Sequence, residues 1–234
     1  MEHHSAGYAI CRSCDGPTQE EFGLCFCCTT LVRQLRMPLA PVVAITPYRL
    51  GDGMHRLLRG YKDAPVADQR TAHTARLADI LRRWLDVNTG RLQLRFRGPW
   101  NTVVTVPSSH RPAGAPVDAL VATVPTLTRL RRCMLVRGPE VTDHLVASAR
   151  GFTVTAGVGS DALDCRARRA LVVDDSFTTG ARAQSAVAAL RRAGIGVAGV
   201  LVVGRAVAPD SAPWQAAYWD ATGAERALAR GRAP

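Results

Sequence analysis

The sequence predicts an α/β chain: a mainly parallel β-sheet flanked by helices, with a small zinc-ribbon-like module at its N-terminus. Three observations carry that expectation. Short apolar runs at 42–45, 102–106, 170–174 and 197–203 alternate with segments of helical periodicity, the pattern of strand–helix–strand units. The run Ala170-Leu171-Val172-Val173 ends in Asp174 and Asp175, and two residues later Thr178-Thr179-Gly180 opens a helix. Four cysteines near the N-terminus form two Cys-x-x-Cys pairs, Cys11/Cys14 and Cys25/Cys28.

The 234 residues suffice for a sizeable core, and 47% hydrophobic with 21% charged residues is an ordinary globular balance. No apolar run approaches the roughly 18 residues of a membrane span, so membrane insertion is not expected. The first residues lack a basic stretch followed by an apolar one, so a cytoplasmic location is expected. The net charge is +11, and of the 30 basic residues only Lys62 is a lysine. That excess suits polyanionic partners, phosphorylated small molecules or nucleic acid, and equally a merely basic surface.

Residues 1–36 form the first expected unit. In a chain without a secretion signal, paired Cys-x-x-Cys knuckles point to a metal site rather than disulfides. Zinc prefers tetrahedral thiolate, and a unit with so little core would draw folding energy from the metal. Redox-active thiols are the alternative; Cys27 is a spare thiol, and His3 and His4 are substitute ligands. Pro38 and Pro41 stiffen the linker into a second unit, 41–234, whose segment 41–100 forms a hood.

In that second unit a strand is expected at 42–45, with a turn at 51–53 and a helix over 54–61. A longer helix over 68–86 carries Leu77, Ile80, Leu81, Trp84 and Leu85 on one stripe, closed by Asn88-Thr89-Gly90 and an Arg-rich connection. The strand ending at Pro107 leads through Ser108-Ser109-His110-Arg111 to a helix bearing Val117, Leu120 and Val121. Strands are expected near 133–136 and 152–155. The helix after Gly180 runs over 181–192 and stops at Gly194.

The chemistry concentrates at the end of the central strand. In parallel sheets ligands sit beyond the carboxyl ends of the strands. The first turn of a helix presents free N–H groups and a favourable dipole to an anion. Gly180 permits close approach, and Thr178 and Thr179 add hydroxyls. Asp174 and Asp175 would repel a phosphate, so they suit sugar hydroxyls or magnesium. A phosphate beside a diol describes a ribose 5-phosphate. The competing reading is two acids that finish a strand with no ligand at all.

Residues 170–182 resemble the phosphoribosyl pyrophosphate (PRPP) motif of type I phosphoribosyltransferases. The whole chain is similar to one branch, the ComF-like competence proteins. The shared features are the four cysteines, the segment from Tyr48 to Arg59-Gly60-Tyr61-Lys62, and the strand end Val104-Thr105-Val106-Pro107. The resemblance implies a type I phosphoribosyltransferase-like core. In it Asp174 and Asp175 hold the ribose hydroxyls, and Thr178, Thr179, Gly180, Ala181 and Arg182 cradle the 5-phosphate. Ser108 and Ser109 would lie at the pyrophosphate, with magnesium bridging. The implied activity is transfer of the phosphoribosyl group to an acceptor, with release of pyrophosphate. Two departures stand out. Arg182 replaces a small hydroxyl residue, and the basic runs expected after Pro107 and within 137–150 are eroded. The same resemblance supports another role: a zinc-containing, non-catalytic protein of DNA uptake that binds single-stranded DNA. A homo-oligomer is compatible with either.

Overall fold

The computed structural model describes residues 7–19, 22–108, 115–155 and 168–223. Ser109, His110, Arg111, His3, His4 and Cys165 lie outside them.

Five strands form one parallel sheet: β3 (Val42–Tyr48), β9 (Gly196–Ala206), β8 (Arg169–Phe177), β4 (Thr102–Thr105) and β5 (Arg131–Arg132), in that spatial order. Strand β8 is central. Its residues Ala170, Leu171, Val172 and Val173 are all 0% exposed. Side chains alternate between faces along a strand, so this run feeds two cores, as expected where both faces of a parallel sheet are covered. Leu171 and Val173 pack with α2 (Gly53–Asp63), α3 (Ala67–Arg95), α4 (Pro116–Ala122) and α5 (Pro125–Thr128). Ala170 and Val172 pack with Ala183, Ala186 and Val187 of α6 (Ala181–Arg192), and with Cys11, Cys14 and Cys28.

The sheet is therefore the expected one, with three corrections of detail. Strand β8 does not stop at Asp174. Its long neighbour β9 keeps pairing, Ser176 opposite Gly204 and Phe177 opposite Arg205, and carries it on to Phe177. The acids thus stand inside the strand, on opposite faces, rather than at its end. Helix α3 does not break at Asn88-Thr89-Gly90; it runs 29 residues to Arg95. Asn88 Nδ2 bonds the Trp84 carbonyl at 3.0 Å and Thr89 Oγ1 the Leu85 carbonyl at 2.6 Å, so both are satisfied inside the helix. Leu92 and the following Phe96, each 2% exposed, extend the apolar stripe. Their burial outweighs the roughly 1 kcal/mol that a helical glycine costs. The strands expected near 133–136 and 152–155 form a separate antiparallel hairpin, β6 (Met134–Arg137) with β7 (Phe152–Thr155).

The N-terminal segment consists of a two-residue ladder, β1 (Ala9–Ile10) with β2 (Pro17–Thr18), and helix α1 (Phe26–Leu35). It packs directly on the sheet. Val42 N–H donates to the Ser13 carbonyl at 2.8 Å, and Arg95 pairs with Asp15 at 2.7 Å. After β9, helix α7 (Pro213–Ala221) brings Tyr218 edge-on to Tyr8, ring centroids 5.6 Å apart. No helix among the described residues is long and apolar enough to cross a membrane.

Candidate functional site

A cavity of about 300 Å³ opens beyond the carboxyl ends of β8 and β4. Asp174, Asp175, the whole stretch 178–182, Pro107, Ser108 and Lys62 line it. The sequence-predicted ligand-binding residues among the described ones are thus brought to one cleft, apart from the four cysteines.

The turn from β8 into α6 has a steric cause. Gly180 is the residue before the helix and adopts φ +85°, the left-handed region that favours glycine. A Cβ there would overlap the Phe177 ring. The loop therefore folds tightly over Phe177, and the first turn of α6, whose N–H groups no helix can satisfy internally, lines the cleft. Thr179 contributes less than a free hydroxyl would. It donates to the His144 carbonyl and accepts from Ala181 N–H at 3.3 Å.

The two acids differ in their surroundings. Asp175 is buried, with 5% exposed. It accepts from the Tyr61 hydroxyl, from Lys62 Nζ at 2.8 Å and from Ser176 Oγ at 2.7 Å. Asp174 is half-buried, and its Oδ1 accepts the Asp175 N–H at 2.9 Å. Burial pushes both carboxyls up to about 6, and Lys62 and Arg182 pull Asp174 the other way. Burial likewise lowers the Lys62 ammonium, with Asp174 opposing. Tyr48, at the end of β3, is pushed up to about 12 by burial, with Asp175 adding to it.

Arg182 does not stay with its own loop. Its guanidinium donates to the Pro107 carbonyl across the cleft and lies 5.9 Å from the centroid of the Phe152 ring. Arg137 reaches the Ser108 carbonyl at 3.4 Å. A second cavity, about 380 Å³, shares Ser108 and Arg182 with the first and continues to Arg137 and Phe152. Two cations therefore meet at the Pro107–Ser108 turn. In sequence Arg182 stands among the residues expected to cradle the 5-phosphate, in place of a small hydroxyl residue, and its reach to Pro107 is not legible there. Nor is the contact of Tyr61 with Asp175, which only the packing of α2 on β8 creates.

The four cysteines form the second constellation. The sulfurs of Cys11, Cys14, Cys25 and Cys28 lie within 4.8 Å of one another, Cys14 and Cys25 at 3.8 Å. A tetrahedral zinc with bonds of about 2.3 Å separates its sulfurs by about 3.8 Å, so the donor set fits zinc. The first pair sits on a knuckle in which Asp15 N–H returns to the Cys11 carbonyl and Asp15 takes φ 54°. The second sits at the start of α1, Cys25 as N-cap and Cys28 in the first turn, where the helix dipole favours thiolate. Cys27 is not in the group.

No family model matches the chain, and no curated protein matches it. Among solved structures it is similar to the orotate phosphoribosyltransferase of Mycobacterium tuberculosis H37Rv in complex with Fe(III) dicitrate. Identity is 16% over 77% of this chain and 94% of that one, with a TM-score of 0.37. It is also similar to the adenine phosphoribosyltransferase of Leishmania tarentolae, at 10% identity over 70% of this chain and 91% of that one, TM-score 0.37.

Proposed function

We propose that the cleft binds PRPP and that the protein transfers its phosphoribosyl group to an acceptor, releasing pyrophosphate. The observation that carries this reading is the joint lining of one cavity by Asp174, Asp175 and the Gly180-led helix start. An acid pair beside an anion cradle matches a ligand that presents a diol next to a phosphate.

In this reading the first-turn N–H groups of α6, with Thr178, take the 5-phosphate. Asp174 and Asp175 take the ribose hydroxyls. Magnesium, which keeps most of its waters and takes one or two carboxylates beside substrate phosphates, suits this acid pair, and when bound it would neutralise the pyrophosphate's charge. Ser108 lies where the pyrophosphate would extend. Arg182 and Arg137 would add positive charge at the Pro107–Ser108 turn, where the expected basic run is eroded. In the transfer the bond between the anomeric carbon and the pyrophosphate oxygen breaks. The electron pair leaves with pyrophosphate, and the acceptor's lone pair forms the new bond. Charge builds up on the sugar as it leaves, and the carboxylates of Asp174 and Asp175 stabilise it; the protein's share is otherwise positioning. The ComF-like resemblance agrees with a zinc centre ahead of this site. The test is a screen of bases and amines with magnesium and PRPP for release of pyrophosphate. Turnover with one acceptor, lost in Asp174→Asn/Asp175→Asn, is expected; no release with any acceptor would reduce the reading to ligand binding.

A further inference from the structure

Arg205, in β9, is buried with 5% of its surface exposed. Its guanidinium donates to the Cys14 carbonyl and, from Nη1 at 3.6 Å, to Cys14 Sγ. The guanidinium carbon lies over the Phe177 ring, 4.5 Å from its centroid. Among the described residues no carboxylate forms an ion pair with it. A guanidinium keeps its proton in a protein, and a buried charge without a counter-charge is costly. Four thiolates on a divalent ion leave an excess of negative charge, and the Cys14 sulfur is the ligand atom that Arg205 reaches. Hydrogen bonds to ligating atoms from such outer groups hold a metal site in shape.

The same arginine touches the ligand cleft through one ring. Phe177 stacks on Arg205 and fills the space against Gly180, where a Cβ would overlap it; Leu31 of α1 closes the same spot at 3.5 Å. The left-handed Gly180 and the ring position therefore fix each other. We propose that Arg205 is the charge partner of the four-cysteine metal centre and, through Phe177, couples metal occupancy to the conformation of the 177–182 loop. That this loop receives a phosphate rests on the proposed function. Arg205 is a positioning residue in this scheme and touches no ligand.

The experiment uses the full chain, zinc-loaded and zinc-depleted, with Arg205→Met, Arg205→Lys and Phe177→Leu. Zinc release to a chromogenic chelator should be about tenfold faster in Arg205→Met than in wild type, with Arg205→Lys between them. Hydrogen exchange at the amides of 178–182 should quicken in zinc-depleted wild type and in zinc-loaded Arg205→Met. Phe177→Leu should retain zinc as wild type does, yet show loop exchange that no longer responds to zinc. PRPP affinity should fall about fivefold when zinc is removed from wild type. Unchanged zinc release in Arg205→Met, or loop exchange indifferent to zinc in wild type, overturns the proposal. Should Arg205→Met not fold, Arg205→Lys and Phe177→Leu decide it. If zinc-loaded wild type binds no PRPP, the functional reading falls, and the exchange measurement still decides the coupling.

Discussion

Lys62 Nζ and Asp175 Oδ1 form an ion pair at 2.8 Å that joins helix α2 to the central strand. Asp175 is nearly enclosed, and Tyr61 donates to its other oxygen. The pair gives helix α2 a chemical hold on the cleft, and its energetics depend on pH.

Lys62→Met strands a buried carboxylate. The variant should lose about 1–3 kcal/mol at pH 7.5, where Asp175 is ionised. The loss should shrink toward pH 5, where a carboxyl raised to about 6 is protonated. Urea unfolding at the two pH values measures it.

Asp174 should cost the apo protein stability. Its carboxyl rises from 3.8 to about 6 on folding, because burial disfavours the charge. A raised acid leaves stability whole below about pH 4 and takes it away as pH climbs through the folded value. Asp174→Asn should therefore be level with wild type near pH 4 and more stable by about 1–3 kcal/mol at pH 7.5. Thermal unfolding across that range gives the sign. A ligand site that spends stability in this way is common.

Gly180→Ala meets two obstacles, the left-handed φ of +85° and the Phe177 ring. Together they should cost about 2–4 kcal/mol in denaturant unfolding. PRPP binding should be lost with the loop's shape.

Arg182→Gln should weaken pyrophosphate and PRPP about tenfold while sparing ribose 5-phosphate, because the guanidinium reaches the Pro107 turn. Titration calorimetry with the three ligands separates these cases. Equal losses for all three would return Arg182 to the 5-phosphate cradle.

Much of this was legible in the sequence because the signals were local. The central strand, its acids, the glycine turn and the cysteine knuckles each reside in a few consecutive residues. What escaped depends on distant packing. The length of β8 was set by β9, which the apolar run at 170–174 does not reveal. The continuity of α3 was set by burial of Leu92 and Phe96, which overrode Gly90. Arg205 looks in sequence like one arginine among many at the end of an apolar strand, and only the fold brings Cys14 against it. Arg182 departs from the expected small hydroxyl residue in sequence, but its reach to Pro107 follows from how α6 faces β4.

We propose that Asp174, Asp175 and the loop after them hold a phosphoribosyl ligand. The most direct test is thermal unfolding with magnesium and PRPP, in wild type and in Asp174→Asn/Asp175→Asn. A ligand at about a hundredfold excess over its Kd stabilises by about 2.7 kcal/mol, a rise of several degrees in Tm. That rise is expected in wild type and none in the double variant. No rise in wild type, or an equal rise in both, would contradict the proposal.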